Sequence, residues 1–322
     1  MKLCTSPLTF YSRLCSTIDC CAVKYLCEVM NCEITMDAVR GAIHADNAAC
    51  LSYFHKRGTT YDYKNDCVQQ AASGGHVRCL EYLFMFTSNL LFQPPAWIEA
   101  ARTGQIACLE WMLKMDHRPN SHDSATALRV AAENAQIPCI EYLWEMLPTM
   151  TNATALLQGA LNAGHADVLQ LAAVKEANLT NAFRMFGGHF LCIQYLYRVG
   201  VTPDNFYFCR LARKISLECL QYMLEHGCTV SAGLSEALAE GGNLKGLKLV
   251  HRMGCQWDKY TCAEAAKGGH LACLQYAHEN GCPWKDSDDG SEGSKYDPCT
   301  CSSAALASTL IVCSMWWNKV RI

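Results

Sequence analysis

The stretch Lys267–Trp284 reads KGGHLACLQYAHENGCPW. It contains His270, Cys273, His278 and Cys282, which are residue types that bind zinc, within thirteen residues. The stretch therefore suggests either a metal site or one unit of a repeated helical pattern. Comparison with the rest of the chain separates the two hypotheses.

The tetrapeptide CLQY, which begins at Cys273, recurs throughout the chain in identical or related form at spacings of 24 to 31 residues. The other copies begin at Ala22, Cys50, Cys79, Cys108, Cys139, Val168, Cys192, Cys219 and Gly246. Upstream of most copies, a pair of small or apolar residues such as Ala265-Ala266 precedes a Gly-Gly or Gly-His pair. The chain therefore contains about nine or ten units of one repeat.

Each unit has the pattern of two short helices. The first helix carries small residues, which allow neighbouring helices to approach closely, and glycine ends it because glycine accepts a left-handed conformation. The second helix presents an apolar stripe. Since so short a unit cannot bury both helices by itself, the units must stack. The sequence predicts an all-α fold, an α-solenoid of about 9–10 stacked helix–turn–helix repeats.

The four candidate zinc ligands do not recur together. His270 is replaced by Asn243 or Gln105 in other units, and His278 is replaced by Leu224. A polar turn residue that bonds to backbone groups accounts for the first position, and a small buried hydrophobe accounts for the repeated cysteine. No local motif pairs a cysteine with a histidine for nucleophilic catalysis. We therefore predict no metal site, no cofactor and no catalytic residue.

The repeats resemble ankyrin repeats. Residues 261–270, TCAEAAKGGH, resemble the first helix and Gly-His turn of that family, and residues 271–281, LACLQYAHENG, resemble its second helix and terminating glycine. The resemblance runs from about Asp19 to Trp284 and is closest to short, Cys-rich variants of unicellular eukaryotes and large DNA viruses. The period is shorter than the usual 33 residues. The 24-residue step and the segment 184–186 indicate an irregularity near the middle.

The resemblance implies that the chain binds another protein through the concave face formed by the first helices and loops. The corresponding variable positions lie ten, nine and six residues before the repeated cysteine. The candidate partner-binding residues are Arg102, Arg129, Glu133, Phe183, Phe186, Arg210, Arg213 and Lys267. Aromatic residues and Arg dominate the hot spots of protein interfaces. We therefore expect an anchor cluster of Phe183, Phe186, Arg210 and Arg213. Alternatively, the charges only keep the surface soluble and the two phenylalanines fill the irregular joint.

The composition bears on compartment and partners. The net charge of −3 gives no basic patch for nucleic acid. With 22 cysteines and a poor signal peptide, the chain is expected in a reducing compartment, cytoplasmic or nuclear. Outside the array 19–284, we expect an N-terminal cap or disordered segment at 1–18, a polar linker at 285–301 and an apolar tail at 302–322. The tail's apolar run is short for a membrane span, which leaves an anchor, a capping helix or disorder open.

These observations predict a monomeric, non-catalytic scaffold that binds another protein, with no nucleic-acid partner and no membrane partner. Two alternatives remain. The chain could be the substrate-recognition adaptor of a ubiquitin ligase, with the first eighteen residues as the remnant of a recruiting motif. It could also be a scaffold tethered to a membrane by the C-terminal apolar run.

Overall fold

A computed structural model describes residues 20–29, 33–58, 66–86, 95–147, 152–175, 177–185, 187–257 and 259–282. Within these ranges every regular element is a helix, so the predicted all-α class is confirmed. The segments expected as N-terminal cap (1–18), linker (285–301) and apolar tail (302–322) lie outside the described residues, as does Phe186.

Contacts divide the chain into two compact units, one ending at Asn178 and the other beginning at Leu179. The helices of the first unit are α1 (Cys20–Glu28), α2 (Met36–His44), α3 (Ala48–Lys56), α4 (Asp66–Gly74), α5 (Val77–Phe86), α6 (Pro95–Thr103), α7 (Ile106–Lys114), α8 (Ser121–Glu133), α9 (Ile137–Met146), α10 (Ala153–Ala163) and α11 (Ala166–Val174). Those of the second unit are a 3-10 helix (Leu179–Arg184), α12 (Phe190–Arg198), α13 (Asn205–Ala212), α14 (Leu217–Glu225), α15 (Ala232–Glu240), α16 (Leu244–Arg252), α17 (Lys259–Lys267) and α18 (Leu271–Glu279).

The helices alternate between the two types that the repeat predicts. In the first unit, α2, α4, α6, α8 and α10 are first helices, and each contacts the next first helix in the series. The second helices α1, α3, α5, α7 and α9 contact one another in the same order. In the second unit the first helices α13, α15 and α17 and the second helices α12, α14, α16 and α18 follow the same scheme.

The repeated residue is the third residue of its second helix in every copy, from Ala22 in α1 to Cys273 in α18. The cysteines at this position in α3, α5, α7, α9, α12, α14 and α18 are at most 1% exposed. Burial raises the pKa of Cys108 to about 12 and that of Cys273 to about 11. The prediction that this cysteine is a small buried hydrophobe is therefore confirmed.

The turn between the two helices also recurs. In eight of the nine described turns, the residue four positions before the repeated residue has a left-handed φ, for example 77° at Gly75 and 73° at Gly104; Ile215 is the exception. A Cβ at Gly75 would collide with the side chain of Gln105, and one at Gly104 with that of Gln136. Each glycine is thus required both by its backbone conformation and by a polar side chain of the following repeat.

Polar residues at the start of the second helices bond to backbone groups, as the sequence predicted. Asn47 accepts a hydrogen bond from the N–H of Cys50 at 3.1 Å, and Asn243 accepts one from the N–H of Gly246 at 3.0 Å. These bonds satisfy an N–H that has no partner within the helix. Asp46 acts across a joint, because its Oδ1 accepts from the N–H of Cys79 in the next repeat at 3.0 Å.

The tyrosine of the tetrapeptide joins consecutive second helices. In the joints at Tyr82, Tyr222 and Tyr276, it meets the residue five positions after the repeated residue of the preceding unit. The distance from Nδ1 of His55 to the hydroxyl of Tyr82 is 3.1 Å, and the rings of Tyr197 and Tyr222 meet edge to face at 5.7 Å. The side chains of Tyr82 and Tyr222 are therefore half-buried between two repeats.

Ala135 has a φ of 53° at a turn position where other repeats have glycine. We expect Ala135→Gly to raise the free energy of unfolding by about 0.5–1 kcal/mol, because glycine adopts this conformation without the steric cost that alanine incurs. Ala107→Gly, at an exposed site within α7, should instead lower it by about 1 kcal/mol. Urea denaturation of both variants checks the prediction, and destabilisation by both would contradict it.

Burial raises the pKa of Cys139 from 9.0 to about 12. The unfolded chain therefore loses this thiol proton first, so the stabilisation is fully present below pH 9 and is lost as pH rises toward 12. At pH 10 the loss from this one thiol is about 1.4 kcal/mol. Melting temperatures between pH 8 and 11 should fall less steeply in Cys139→Ala than in the parent chain.

The matched control for that titration is Cys21→Ala, which removes an exposed cysteine of α1. Its melting temperature should fall with pH as steeply as that of the parent chain. Equal slopes for all three proteins would show that the thiol of Cys139 does not contribute to alkaline destabilisation.

Candidate functional site

The first helices of the second unit form a groove with a volume of about 590 Å³. Helix α13 contributes Phe206, Cys209, Arg210 and Arg213; α15 contributes Gly233, Glu236, Ala237 and Glu240; α17 contributes Glu264 and Lys267. On α13 and α15 these residues have the spacing i, i+3, i+4, i+7, which places them on one face of a helix. The groove therefore follows the same face of three consecutive first helices.

Small residues form part of the groove lining. Gly233 has no Cβ atom, and Ala237 and Cys209 have short side chains. Phe206, by contrast, is 69% exposed. A Cβ added at Gly233 would meet Cys209 at 3.8 Å and Ser231 at 4.0 Å, which are ordinary contact distances. Packing thus leaves room at Gly233 for a larger side chain.

Two ion pairs lie in the groove. Arg213 bridges two repeats, because its Nη1 and Nη2 donate to Oε1 and Oε2 of Glu240 on α15 at 2.9 and 2.8 Å. Lys267 donates to both carboxylate oxygens of Glu264 on its own helix, at 2.9 and 3.2 Å. Arg210 lies exposed on α13 and has no ion-pair partner among the described residues.

The candidate residues of the first unit form ion pairs within single helices. Nε of Arg102 lies 3.2 Å from Oε2 of Glu99 on α6, and Arg129 donates to Glu133 on α8 at 2.6 Å. Such partly exposed pairs contribute little to stability. These residues lie in a different compact unit from the groove.

The proposed Phe–Arg anchor cluster is divided by the structure. Phe183 belongs to the 3-10 helix that stands at the predicted irregularity, where a first α-helix would otherwise lie. Its side chain is only 4% exposed and meets the ring of Tyr197 edge to face at 6.3 Å. Phe183 therefore packs in the core of its unit, while Arg210 and Arg213 lie in the groove.

Sequence reasoning did not single out Phe206, Cys209, Gly233 or Ala237. Phe206 and Gly233 both lie thirteen residues before the repeated residue of their units, and Tyr260 holds that position in the next unit. A glycine between two aromatic residues at one repeat position is the signal that would have indicated the groove. This signal is visible only when positions more than ten residues before the repeated residue are compared.

The residues of the zinc hypothesis have separate structural roles. Cys273 is buried within α18, and a Cβ at Gly242 would collide with the ring of His270, which therefore covers the preceding turn. Among the described residues, no group of three or more His, Cys, Asp or Glu side chains could hold a metal ion. None of the described helices has the length and apolar character that a membrane span requires.

Comparison with known proteins gives no assignment. No protein-family model matches the chain. No curated protein matches it either.

We expect Gly233→Leu to leave the fold intact, with a free energy of unfolding equal to the parent value or up to about 1 kcal/mol above it, because a Cβ at this helical position meets its neighbours only at ordinary contact distances and leucine has the higher helix propensity. Gly159→Ala should destabilise by about 1–3 kcal/mol, since a Cβ there would collide with the carbonyl oxygen of Arg129 on the neighbouring first helix. Thermal and urea denaturation measure both effects. Destabilisation by Gly233→Leu as large as that by Gly159→Ala would contradict the prediction.

Proposed function

We propose that the chain is a non-catalytic scaffold, an α-solenoid of ankyrin-like repeats that binds another protein across its first helices. The observation that carries the proposal is the groove over α13, α15 and α17. It continues over three repeats, and it combines an exposed aromatic ring, small residues and exposed arginines. Aromatic residues and arginine contribute strongly to protein–protein binding.

The turn and packing rules support the ankyrin-like reading. In most described repeats a left-handed residue ends the first helix and a polar residue begins the second, and within each compact unit neighbouring helices of one type contact each other. This is the nearest-neighbour packing on which linear repeat arrays depend. In the resembled family, the first helices form the concave face.

The chemistry of the groove supports binding rather than catalysis. Arg213, Glu240, Lys267 and Glu264 are engaged in ion pairs, which hold their side chains in place. Burial raises the pKa of the Cys209 thiol, so the thiol is less readily ionised to the nucleophilic thiolate. The thiols of Cys79, Cys108 and Cys139 are not joined in disulfides, which fits a reducing cytoplasmic or nuclear compartment.

Cross-linked capture from the native cell tests the proposal, with three full-length baits. Gly233→Leu fills the groove, and Ala272→Leu places the same side chain at the exposed second residue of α18. We expect one set of proteins to be captured by the parent chain and by Ala272→Leu but lost with Gly233→Leu. Equal capture by all three baits would place binding outside the groove, and specific capture by none would contradict the proposed function.

A further inference from the structure

We propose that the groove over α13, α15 and α17 recognises a protein segment that carries a carboxylate side chain beside an apolar one, with Arg210 binding the carboxylate. This inference rests on the proposed function and specifies the chemistry of its partner. It concerns only the second compact unit.

The argument for a carboxylate comes from the pairing of charges in the groove. Arg213 and Lys267 are the other two cations of the lining, and each already contacts a carboxylate of the chain itself. Arg210 is exposed and has no such contact among the described residues. A guanidinium group offers a planar pair of N–H donors that matches a carboxylate, so Arg210 can bind an acidic side chain of a partner, although the lining also contains a third carboxylate, Glu236 on α15.

The Arg213–Glu240 pair also favours an acidic group of the partner over a basic one. Its two parallel bonds join the C-terminal end of α13 to α15 and fix Glu240 at one wall of the groove. Arg213 already donates to both oxygens of this carboxylate and neutralises its charge, so Glu240 attracts a basic group of a partner less strongly than an unpaired carboxylate would. An acidic group finds Arg210 one helical turn away from Arg213 on the same face of α13.

The argument for an apolar neighbour comes from the lining next to Arg210. Phe206 lies one turn before Arg210 on α13 and has most of its ring exposed. Across from it, Gly233 presents no side chain, and the largely buried Ala237 follows one turn later on α15. An aliphatic or aromatic side chain of the partner would bury apolar area chiefly against the exposed ring of Phe206, which is favourable.

The test is a selection of phage-displayed random dodecapeptides on the full-length chain. Enriched peptides are counter-screened on Gly233→Leu, which separates groove binders from binders at other surfaces. We expect the groove binders to share an Asp or Glu within a few residues of an aliphatic or aromatic residue. Groove binders that lack an acidic residue would overturn the inference and leave the proposed function in place.

Fluorescence anisotropy then measures the Kd of single groove-binding peptides. Arg210→Gln should raise Kd by about tenfold or more, Arg210→Lys by less, and the control Lys245→Gln, on the exposed face of α16, by less than about twofold. Replacing the peptide's acidic residue by its amide should weaken binding to the parent chain but have little further effect on Arg210→Gln. Additive effects of the two changes, or no effect of Arg210→Gln, would overturn the inference.

The results that would contradict the proposed function differ from those that would contradict only the carboxylate assignment. If no enriched peptide is lost on Gly233→Leu, the groove is not a binding site, and both the inference and the location of the proposed function are wrong. If peptides depend on Gly233 but not on Arg210, only the carboxylate assignment is wrong.

Discussion

The close approach of consecutive first helices is the constraint on which the rest of this structure depends. The Ala pairs of α4, α6 and α8 are fully buried between neighbouring helices. At Gly159 the backbone itself lies against the carbonyl of Arg129, so that even a methyl group would be excluded. Because one face of each first helix is committed to this contact, larger side chains are confined to the outward face. The groove residues of α13, α15 and α17 occupy that outward face.

The features that recur in every repeat were predictable from the sequence. Cys50 and Cys273 share one helical position and one degree of burial, and Asn47 and Asn243 make the same bond to the backbone. Repetition supplies the evidence for such features, since a residue type that returns at one position must satisfy a local rule of helix capping or packing. The irregular step near Arg184 was visible for the same reason, as a departure from the pattern.

The groove could not be predicted in the same way, because it is made of residues that differ between repeats. Gly233 has no counterpart in other units, and its effect depends on the side chains of α13 beside it. Phe183 illustrates the opposite error. Its position in the repeat corresponds to the variable face of a first helix. A 3-10 helix replaces the expected α-helix there, and the ring lies in the core. Register predicts exposure only where the backbone keeps the regular helix.

Ion pairs within one helix and ion pairs between helices have different structural effects. Arg102 and Arg129 are each paired within one helix, whereas Arg213 crosses to the next repeat. A pair within a helix constrains only the side chains that form it. A pair between helices also fixes the relative position of two repeats, so the wall of the groove at Glu240 is held by the same contact that joins α13 to α15.

The joints between repeats have a consequence for how such a chain can be lengthened or recombined. Gln105 covers Gly75, and Asp46 caps the helix that begins at Val77, so each joint is composed of residues from two successive units. A duplicated or transplanted unit is therefore not self-contained. It fits a new position only when the upstream neighbour supplies the matching half of the joint. When repeats are exchanged, in evolution or by design, the turn residue of one unit should therefore be transferred together with the capping residue of the next unit.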